Sequence, residues 1–272
     1  MPVVVPSLCP AAMDAGIARG KVWQMAQSPH STWVLQSVLQ DAAGGDAERV
    51  QLAHELKGHV WEAMRCPYAN HVLQKCLVLV HARANQFMVD ELLMEGPGAV
   101  VNAAKHRYGC RILQRMLEQL WAQQLTDIVS ELVASSANLT THVYGHFVIA
   151  CLLERYPATH QGISLAIERN ISATMRSRYG RAVVADALLF GAARQQLALA
   201  RALLLGDLWL FHVKATNTRH MAAITRRMLH LLSEDEAQEM CDSLATISDQ
   251  LKQTVVGRRL LRLCDRHQPP EP

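Results

Sequence analysis

The sequence predicts an all-α solenoid of about seven repeats, each built from three helices. Three observations indicate this fold: a seven-residue motif that recurs every 35 to 40 residues, apolar positions at helical spacing after each copy, and a composition dominated by Leu, Ala and Val. A period in this range is typical of stacked supersecondary units that bury their apolar sides against one another. With 272 residues, 50% hydrophobic and 5% aromatic, the chain can form one elongated helical domain.

The recurring motif has the pattern aromatic-Gly-polar-polar-apolar-apolar-polar, and its clearest copy runs from Tyr108 to Gln114. Further apolar residues follow each copy at helical spacing, so each copy is predicted to begin a helix, called here the presenting helix. The third, fourth and seventh motif residues vary between copies and are called the first, second and fifth slots. The first slots are Thr32, Asn70, Cys110, His146, Arg181, Met221 and Arg258.

Glycine and proline mark the breaks between the predicted helices. Gly44-Gly45-Asp46 separates two helices of the first repeat, Gly96-Pro97-Gly98 ends the second repeat, Pro157 stops the fourth presenting helix and Gly191 the fifth, while Gly206-Asp207 starts the sixth repeat. The helices expected in the first three repeats are 22–27, 31–40, 47–56, 60–64, 69–80, 84–93, 100–104, 108–119 and 122–133. Those expected later are 144–155, 179–190, 194–205 and 257–264.

The two ends of the chain match no repeat. Residues 1–20 contain Pro and Ala and are expected to form an N-terminal cap or flexible lead. Residues 21–265 are expected to form the repeat domain, and residues 266–272 a disordered tail. The apolar run near Met1 has no basic lead and is broken by prolines, so we predict neither a signal peptide nor a membrane span.

Charge and cysteine content narrow the class of protein. A net charge of +3 and a pI near 8.5 exclude a general polycation, so any nucleic-acid affinity must come from charge collected on one face. Seven cysteines without a CxxC pair indicate free thiols in a reducing compartment. We therefore expect a cytoplasmic location, and a nuclear or nucleolar one is also compatible with the sequence.

The three variable slots are placed to hold a flat ligand. At about 100° per residue, the first and fifth slots lie about 40° apart on the helix, and the second lies about 100° from the first. Two side chains can then meet the edge of one ring while the third covers its face. An unstacked nucleotide base, with hydrogen-bonding edges and two π-faces, suits this arrangement.

Over roughly residues 22–265 the sequence resembles the Pumilio (PUF) family of RNA-binding repeat proteins. The resemblance is carried by Tyr-Gly-Cys-Arg-x-x-Gln at 108–114 and Asn-His-x-x-Gln at 70–74. It implies a right-handed, crescent-shaped solenoid in which each repeat binds one base, the first and fifth slots reading its edge and the second stacking on its ring. The family has eight repeats, whereas we count seven here, with weak sixth and seventh copies.

The resemblance assigns the candidate base-reading residues to the first repeats. Asn with Gln is associated with uracil in the family, and Cys or Ser with Gln is associated with adenine, which implies the core 5'-A-U-(A or another base)-3'. Thr32 with Gln36 departs from the common pairs and is nearest to the adenine type. The base-edge residues are Thr32, Gln36, Asn70, Gln74, Cys110 and Gln114, and the stacking residues are Trp33, His71, Arg111 and Phe147.

The pattern fades after the third repeat. The second slot changes to Ala182 and Ala222, and the fifth slot loses its Gln from Ala150 onwards. The four flat second-slot groups leave three gaps between them, each suited to one stacked base. Glutamine fills the fifth slot in three repeats, so both features indicate three bases. The later repeats are instead rich in arginine, which can bind phosphate without reading sequence. The candidate phosphate or backbone contacts are His146, Arg181, Arg258, Arg259 and Arg262.

Each candidate also has a purely structural interpretation. Trp33 and Phe147 could pack between repeats, Cys110 by itself would be a buried thiol, and arginines on a solenoid are commonly solvated. His142 and His146 have the spacing of metal ligands on a helix, but no Glu or third ligand accompanies them. No P-loop, dinucleotide-binding glycine run or nucleophile elbow occurs. We therefore expect no enzyme activity, no metal and no cofactor.

The function predicted from the sequence is selective binding of single-stranded RNA in post-transcriptional regulation. By resemblance, the partner is the 3' untranslated region of an mRNA. We also expect protein partners on the convex face, a monomer and no membrane binding. The alternative is a degenerate α-solenoid scaffold that binds protein or structured ribosomal RNA without reading bases. The glutamines beside flat groups in three successive repeats favour RNA, because a protein scaffold does not need them.

Overall fold

The computed structural model describes residues 16, 18–42, 44–205, 208–216 and 219–265, without the side chains of residues 215, 216 and 265. All the regular secondary structure in these ranges is helical, which confirms the predicted all-α class. The chain divides into two compact units, Met1–Ile128 and Val129–Pro272, called the first and second units. Most of the predicted lead, the turn at 206–207 and the whole predicted tail lie outside the described residues.

The first unit contains three presenting helices that pack in sequence order, α2 against α5 and α5 against α8. Single 3₁₀ turns at 82–85 and 122–125 precede α6 and α9, and the last residues of α9 belong to the second unit. The helices are α1 (Val22–Ala26), α2 (Thr32–Asp41), α3 (Gly45–His54), α4 (Val60–Arg65), α5 (Ala69–Leu79), α6 (Gln86–Met94), α7 (Ala99–Lys105), α8 (Gly109–Gln119) and α9 (Thr126–Ala134).

The second unit continues the repeat with four more presenting helices, and α11, α14, α17 and α20 each pack against the next. The helices are α10 (Ser136–Thr140), α11 (Gly145–Arg155), α12 (His160–Arg169), α13 (Ile171–Arg176), α14 (Arg178–Phe190), α15 (Ala193–Leu204), α16 (Leu208–Thr216), α17 (Arg219–Leu231), α18 (Glu234–Ala245), α19 (Ser248–Lys252) and α20 (Val255–Asp265).

In the described part of the chain no single helix is long and apolar enough to cross a membrane, and α15 and α16 reach that length only as a bent pair.

The motif glycine allows the first helix of a repeat to approach its presenting helix closely. A Cβ atom built on Gly109 would lie 2.5 Å from the carbonyl oxygen of Ala103, and one built on Gly180 would clash in the same way with the carbonyl of Thr174. Backbone atoms cannot yield as a flexible side chain can, so a larger residue would force the two helices apart. This close contact between the two helices sets the position of the first slot, which is the residue after the glycine.

A side chain four residues before the first slot orients several presenting helices. The His106 Nδ1 accepts hydrogen bonds from the backbone N–H groups of Tyr108 and Gly109, both at 3.3 Å. His142 does the same at the start of α11, and the Ser177 hydroxyl does it in α14. Burial, followed by Arg65 and Arg107, lowers the pKa of His106, which favours the neutral ring that can accept these bonds at Nδ1. These residues satisfy N–H groups that a helix start leaves without partners.

Two glutamates hold neighbouring repeats of the first unit in register. The Glu55 carboxylate accepts hydrogen bonds from the N–H groups of Gly20 (2.8 Å) and Val22 (3.2 Å) at the start of α1. Glu91 accepts from Gly58 and Val60 at the start of α4 with the same distances. Gly58 has a φ of 80°, in the left-handed region that favours glycine. A carboxylate at a helix N-terminus is also favoured by the helix dipole.

Candidate nucleic-acid interface

The first slots of the first unit lie at the base of the presenting helices. Thr32 is 7% exposed, and Asn70 and Cys110 are each 1% exposed. All three donate a hydrogen bond to a backbone carbonyl: Thr32 Oγ1 to Tyr68 (3.3 Å), Asn70 Nδ2 to Cys66 (2.7 Å) and Cys110 Sγ to Arg107 (3.5 Å). These bonds hold each polar group in one orientation, which reduces the entropy lost when a ligand binds.

The fifth slots are half-buried glutamines that contact the other slots of the same helix. Gln74 Nε2 donates to Asn70 Oδ1 at 3.1 Å, and Gln36 Nε2 donates to the Thr32 carbonyl at 3.3 Å. Gln114 Oε1 accepts from the Arg111 guanidinium at 3.1 Å. The Asn70–Gln74 bond leaves the Gln74 carbonyl oxygen and one Asn70 N–H available, which together form a short edge with one acceptor and one donor.

The second slots are exposed on all three helices of the first unit. Trp33 has 56% of its surface accessible, and His71 and Arg111 are also exposed. Exposed tryptophan is unusual, because its large apolar ring is strongly stabilised by burial. The flat faces needed for stacking are therefore accessible on α2, α5 and α8.

Burial also determines the chemical form of Cys110. It raises the pKa of the thiol, and the opposing effect of Arg111 is smaller. Cys110 is therefore a neutral thiol at physiological pH and acts as a small, weakly polar group in the first slot.

Arg181 is placed differently from the exposed phosphate ligand that the sequence analysis expected. It is only 7% exposed, and its guanidinium donates to the carbonyls of Met175 (2.7 Å) and Arg176 (3.2 Å) at the end of α13. Burial lowers the pKa of this guanidinium. The side chain thus caps the C-terminus of a helix, where a cation is favoured, and it cannot reach a phosphate without breaking these bonds.

His146, another expected phosphate contact, is also buried, with 8% of its surface exposed. Its ring centroid lies 3.9 Å from that of Phe147 and 4.9 Å from that of Tyr179, the latter in a stacked arrangement. Its Nδ1 donates to the His142 carbonyl at 3.0 Å. Phe147 is half-buried beside it, so in the fourth repeat the first and second slots form an aromatic cluster within the protein.

The sixth repeat uses its fifth slot for internal packing. Thr225 is completely buried, and its hydroxyl accepts a hydrogen bond of 2.8 Å from Trp209 Nε1 in α16. Met221 and Ala222, the first and second slots, are also buried. The Trp209–Thr225 pair was not predicted from the sequence. Its signal there is the single Trp of the sixth repeat together with a fifth slot that is Thr instead of Gln.

The three remaining arginine candidates lie on α20 and are exposed. Arg258 donates to the Lys252 carbonyl at 2.6 Å, and Arg262 donates to the Arg258 carbonyl at 3.3 Å. A guanidinium has five N–H donors, so these bonds leave donors directed to solvent. Arg258, Arg259 and Arg262 therefore keep the accessible positive charge expected of phosphate contacts.

A carboxylate pair lies on the presenting helices of the second unit. Asp186 in α14 is half-buried, and burial, with a smaller effect of Glu154 in α11, raises its pKa from 3.8 to about 6. Both residues lie within about 40° of the second-slot direction of their own helices, counted at about 100° per residue. Negative charge near the second slots of α11 and α14 disfavours binding of an RNA backbone at these helices.

We expect Asp186→Asn to raise the free energy of unfolding at pH 8. Because the native pKa is above the unfolded one, the folded chain binds more protons between about pH 4 and pH 6, and stability falls as pH rises through that window. The variant removes this loss, so its advantage should be large at pH 8 and small at pH 4. Denaturant unfolding at both pH values measures it. Asp127→Asn, at an exposed site, is the control, and equal stability of Asp186→Asn and wild type at pH 8 would contradict the prediction.

Among the residues that the structure describes, no three His, Cys, Asp or Glu side chains converge as metal ligands would. The Nδ1 atoms of His142 and His146 are both engaged with backbone groups, as given above. The spacing of these histidines reflects helix capping and aromatic packing.

Comparison with known proteins supports the repeat assignment. The Pumilio-family RNA binding repeat matches residues 59–93 and 100–133. The chain is 28% identical over 141 residues to Pumilio homology domain family member 4 of Saccharomyces cerevisiae, covering 50% of this chain and 14% of that protein. It is 22% identical over 250 residues to a Pumilio domain-containing protein of Schizosaccharomyces pombe, covering 88% of this chain and 34% of that one. The chain thus spans about a third or less of these relatives.

Solved structures show the same fold. The Puf3 RNA binding domain bound to a Cox17 3' UTR recognition sequence aligns with a TM-score of 0.77 at 19% identity, over 92% of this chain and 75% of that one. PUF-8 in complex with PBE-RNA aligns with a TM-score of 0.75 at 18% identity, over 90% of this chain and 71% of that one. The family match thus identifies Pumilio-type RNA-binding repeats within residues 59–133, and the described chain shares the helical fold of solved PUF domains.

Proposed function

We propose that the first unit binds single-stranded RNA and reads three consecutive bases with α2, α5 and α8. The observation that carries this proposal is a layered arrangement repeated on three adjacent helices: a buried polar first slot, a half-buried Gln in the fifth slot and an exposed flat group in the second. Base stacking is tolerant of sequence and contributes about 1–3 kcal/mol per base. The edge groups then select among the bases.

The hydrogen-bonding edge of the second repeat suits uracil. Uracil has an N–H flanked by carbonyl oxygens, and it can donate to Gln74 Oε1 while accepting from the remaining N–H of Asn70. The Asn70–Gln74 bond and the Asn70–Cys66 bond both persist in this arrangement. The Gln114 amide with the neutral Cys110 thiol suits adenine by the family pattern, and the base at Thr32 and Gln36 is assigned to the adenine type by the same comparison.

The second unit contributes charge rather than base reading in this proposal. Its slots at His146, Arg181 and Thr225 are buried in internal contacts, whereas Arg258, Arg259 and Arg262 remain exposed. Such arginines bind phosphates without sequence preference. We further propose that the chain acts as a monomer on mRNA 3' untranslated regions in post-transcriptional regulation, in the cytoplasm, with protein partners and without catalysis.

A random-RNA selection tests the proposal. At one stated salt concentration, wild type should enrich an AU-containing core, and Asn70→Ala combined with Gln74→Ala should lose the uracil preference. Gln40→Ala, an exposed amide of α2 outside the slots, is the matched control and should keep the wild-type motif. Absence of any enriched sequence would favour a scaffold that does not read bases. An unchanged motif in the double variant would place the reading surface on other residues.

A further inference from the structure

A cleft of about 270 Å³ lies between α12 and α15, the third helices of the fourth and fifth repeats. These two helices pack against each other and against the presenting helices α11 and α14 of their repeats. None of the slot residues lines the cleft, so it is separate from the base-reading surface. Its lining residues are Gln161, Ser164, Leu165, Glu168, Arg194, Gln195 and Ala198.

The polar groups of this cleft are not used by the protein itself. The Ser164 hydroxyl is 1% exposed, lines the cleft and has no hydrogen-bond partner. Within the part of the chain that the structure describes, no hydrogen bond or ion pair engages the side chains of Gln161, Glu168, Arg194 or Gln195 either. Burying a hydroxyl without a hydrogen-bond partner is unfavourable, so an external partner for it is stabilising.

Neighbouring contacts between third helices show how such groups are normally satisfied. Between α15 and α18, Arg201 donates to both carboxylate oxygens of Glu236, at 2.8 and 3.4 Å. In the first unit, Gln124, in the 3₁₀ turn before α9, donates to the side chain of Gln86 at the start of α6 at 2.7 Å. Both junctions are closed by side chains from the two repeats, whereas the α12–α15 junction keeps its polar groups and its space open.

The chemistry of the lining favours peptide over nucleic acid. The lining carries one cation, Arg194, and one carboxylate, Glu168, so it has no excess positive charge to hold phosphates. Gln161 and Gln195 each offer a donor and an acceptor, as a peptide main chain requires. Leu165, which is 42% exposed, and Ala198 provide an apolar contact at the same place.

We propose that this cleft binds a short, extended segment of a partner protein, held through its main chain by the two glutamines and Ser164. One small apolar side chain of that segment rests on Leu165 and Ala198. The inference does not depend on base reading, because no slot residue contributes to the cleft.

The test is a selection of short displayed peptides against the full chain, followed by affinity measurements with the peptide enriched most. Ala198→Trp fills the cleft from an exposed position and should weaken binding by at least about tenfold. Ala245→Trp, at an exposed position on α18, is the matched control and should bind as wild type does. RNA binding should be unchanged in both variants, which separates failure of this inference from failure of the proposed RNA function.

Ser164→Ala gives a second readout. Because the hydroxyl has no partner within the protein, its removal should not lower the free energy of unfolding, yet it should weaken peptide binding severalfold. Failure to enrich any peptide, equal binding by Ala198→Trp and wild type, or displacement of the peptide by single-stranded RNA would each overturn the inference. Self-association that is lost in Ala198→Trp would assign the cleft to a second copy of the chain and overturn it as well.

Discussion

Replacing Trp33 by Ala should weaken binding of single-stranded RNA by about 1–3 kcal/mol, the contribution of one base stacked on an aromatic ring. The ring is 56% exposed in the second slot of α2, so its loss removes a stacking face without opening a cavity in the core. The fold should therefore be retained while affinity falls by roughly one to two orders of magnitude. Titration of a labelled RNA carrying the selected core, at fixed salt, measures the change.

The chain supplies a close control for this prediction. Trp121 lies in the same unit and is 58% exposed, but it precedes the 3₁₀ turn at 122–125 and is not in a slot. Trp121→Ala removes the same side chain from an equally exposed place and should leave RNA affinity unchanged. Equal losses in the two variants would mean that exposed tryptophan contributes without regard to the presenting helices, and the slot assignment would be wrong.

Arg181→Met should lower the free energy of unfolding by about 1.5–3 kcal/mol, the range for hydrogen bonds made by a charged group. The guanidinium is buried and donates to two carbonyls at the end of α13, and a methionine cannot replace these donors. Arg258 occupies the same slot in the seventh repeat and also donates to a carbonyl six residues earlier, but it is exposed. Arg258→Met should change stability by no more than about 0.5 kcal/mol.

For RNA binding we expect the opposite ranking of the two variants: Arg258→Met should have an effect and Arg181→Met should have none. If Arg258 contacts a phosphate, Arg258→Met reduces the slope of log affinity against log salt by about 0.7. Arg181→Met should leave that slope unchanged at a temperature where the variant is folded. Denaturant unfolding and salt titrations of the same two proteins provide the full comparison, and a reduced slope for Arg181→Met would show that the buried arginine does reach RNA.

Much of the helical framework could be predicted because it depends on local patterns. Six of the seven presenting helices were expected within a few residues of their observed bounds, and no bounds were predicted for the sixth, α17. Apolar spacing and the motif residues act within one repeat, which is why these helices could be predicted. The order of exposure in the first unit, with Asn70 buried and His71 exposed, follows from the helical angle between adjacent residues. The inter-repeat bonds of Glu55 and Glu91 were not foreseen, because their partners are more than thirty residues away.

The candidate site was predicted well in the first unit and poorly in the second. In the first unit, the bond between Asn70 and Gln74 joins residues four apart, as expected for side chains on one helix face. In the second unit, His146 stacks on Tyr179, and Thr225 accepts a hydrogen bond from Trp209. Both partners lie on other helices. A slot can be located from the sequence, but whether it is vacant for a ligand depends on what packs against it.

Arg181 and Arg258 show the difference between what the sequence predicts and what packing decides. The sequence by itself determined the repeat period, the helix starts and the common slot that these two arginines occupy. The tertiary structure decided their roles, because α16 of the next repeat packs beside α13 and brings His212 near the buried Arg181, whereas Arg258 is exposed. Desolvation directs the first guanidinium to backbone carbonyls, and continued contact with water leaves the second available to an anion.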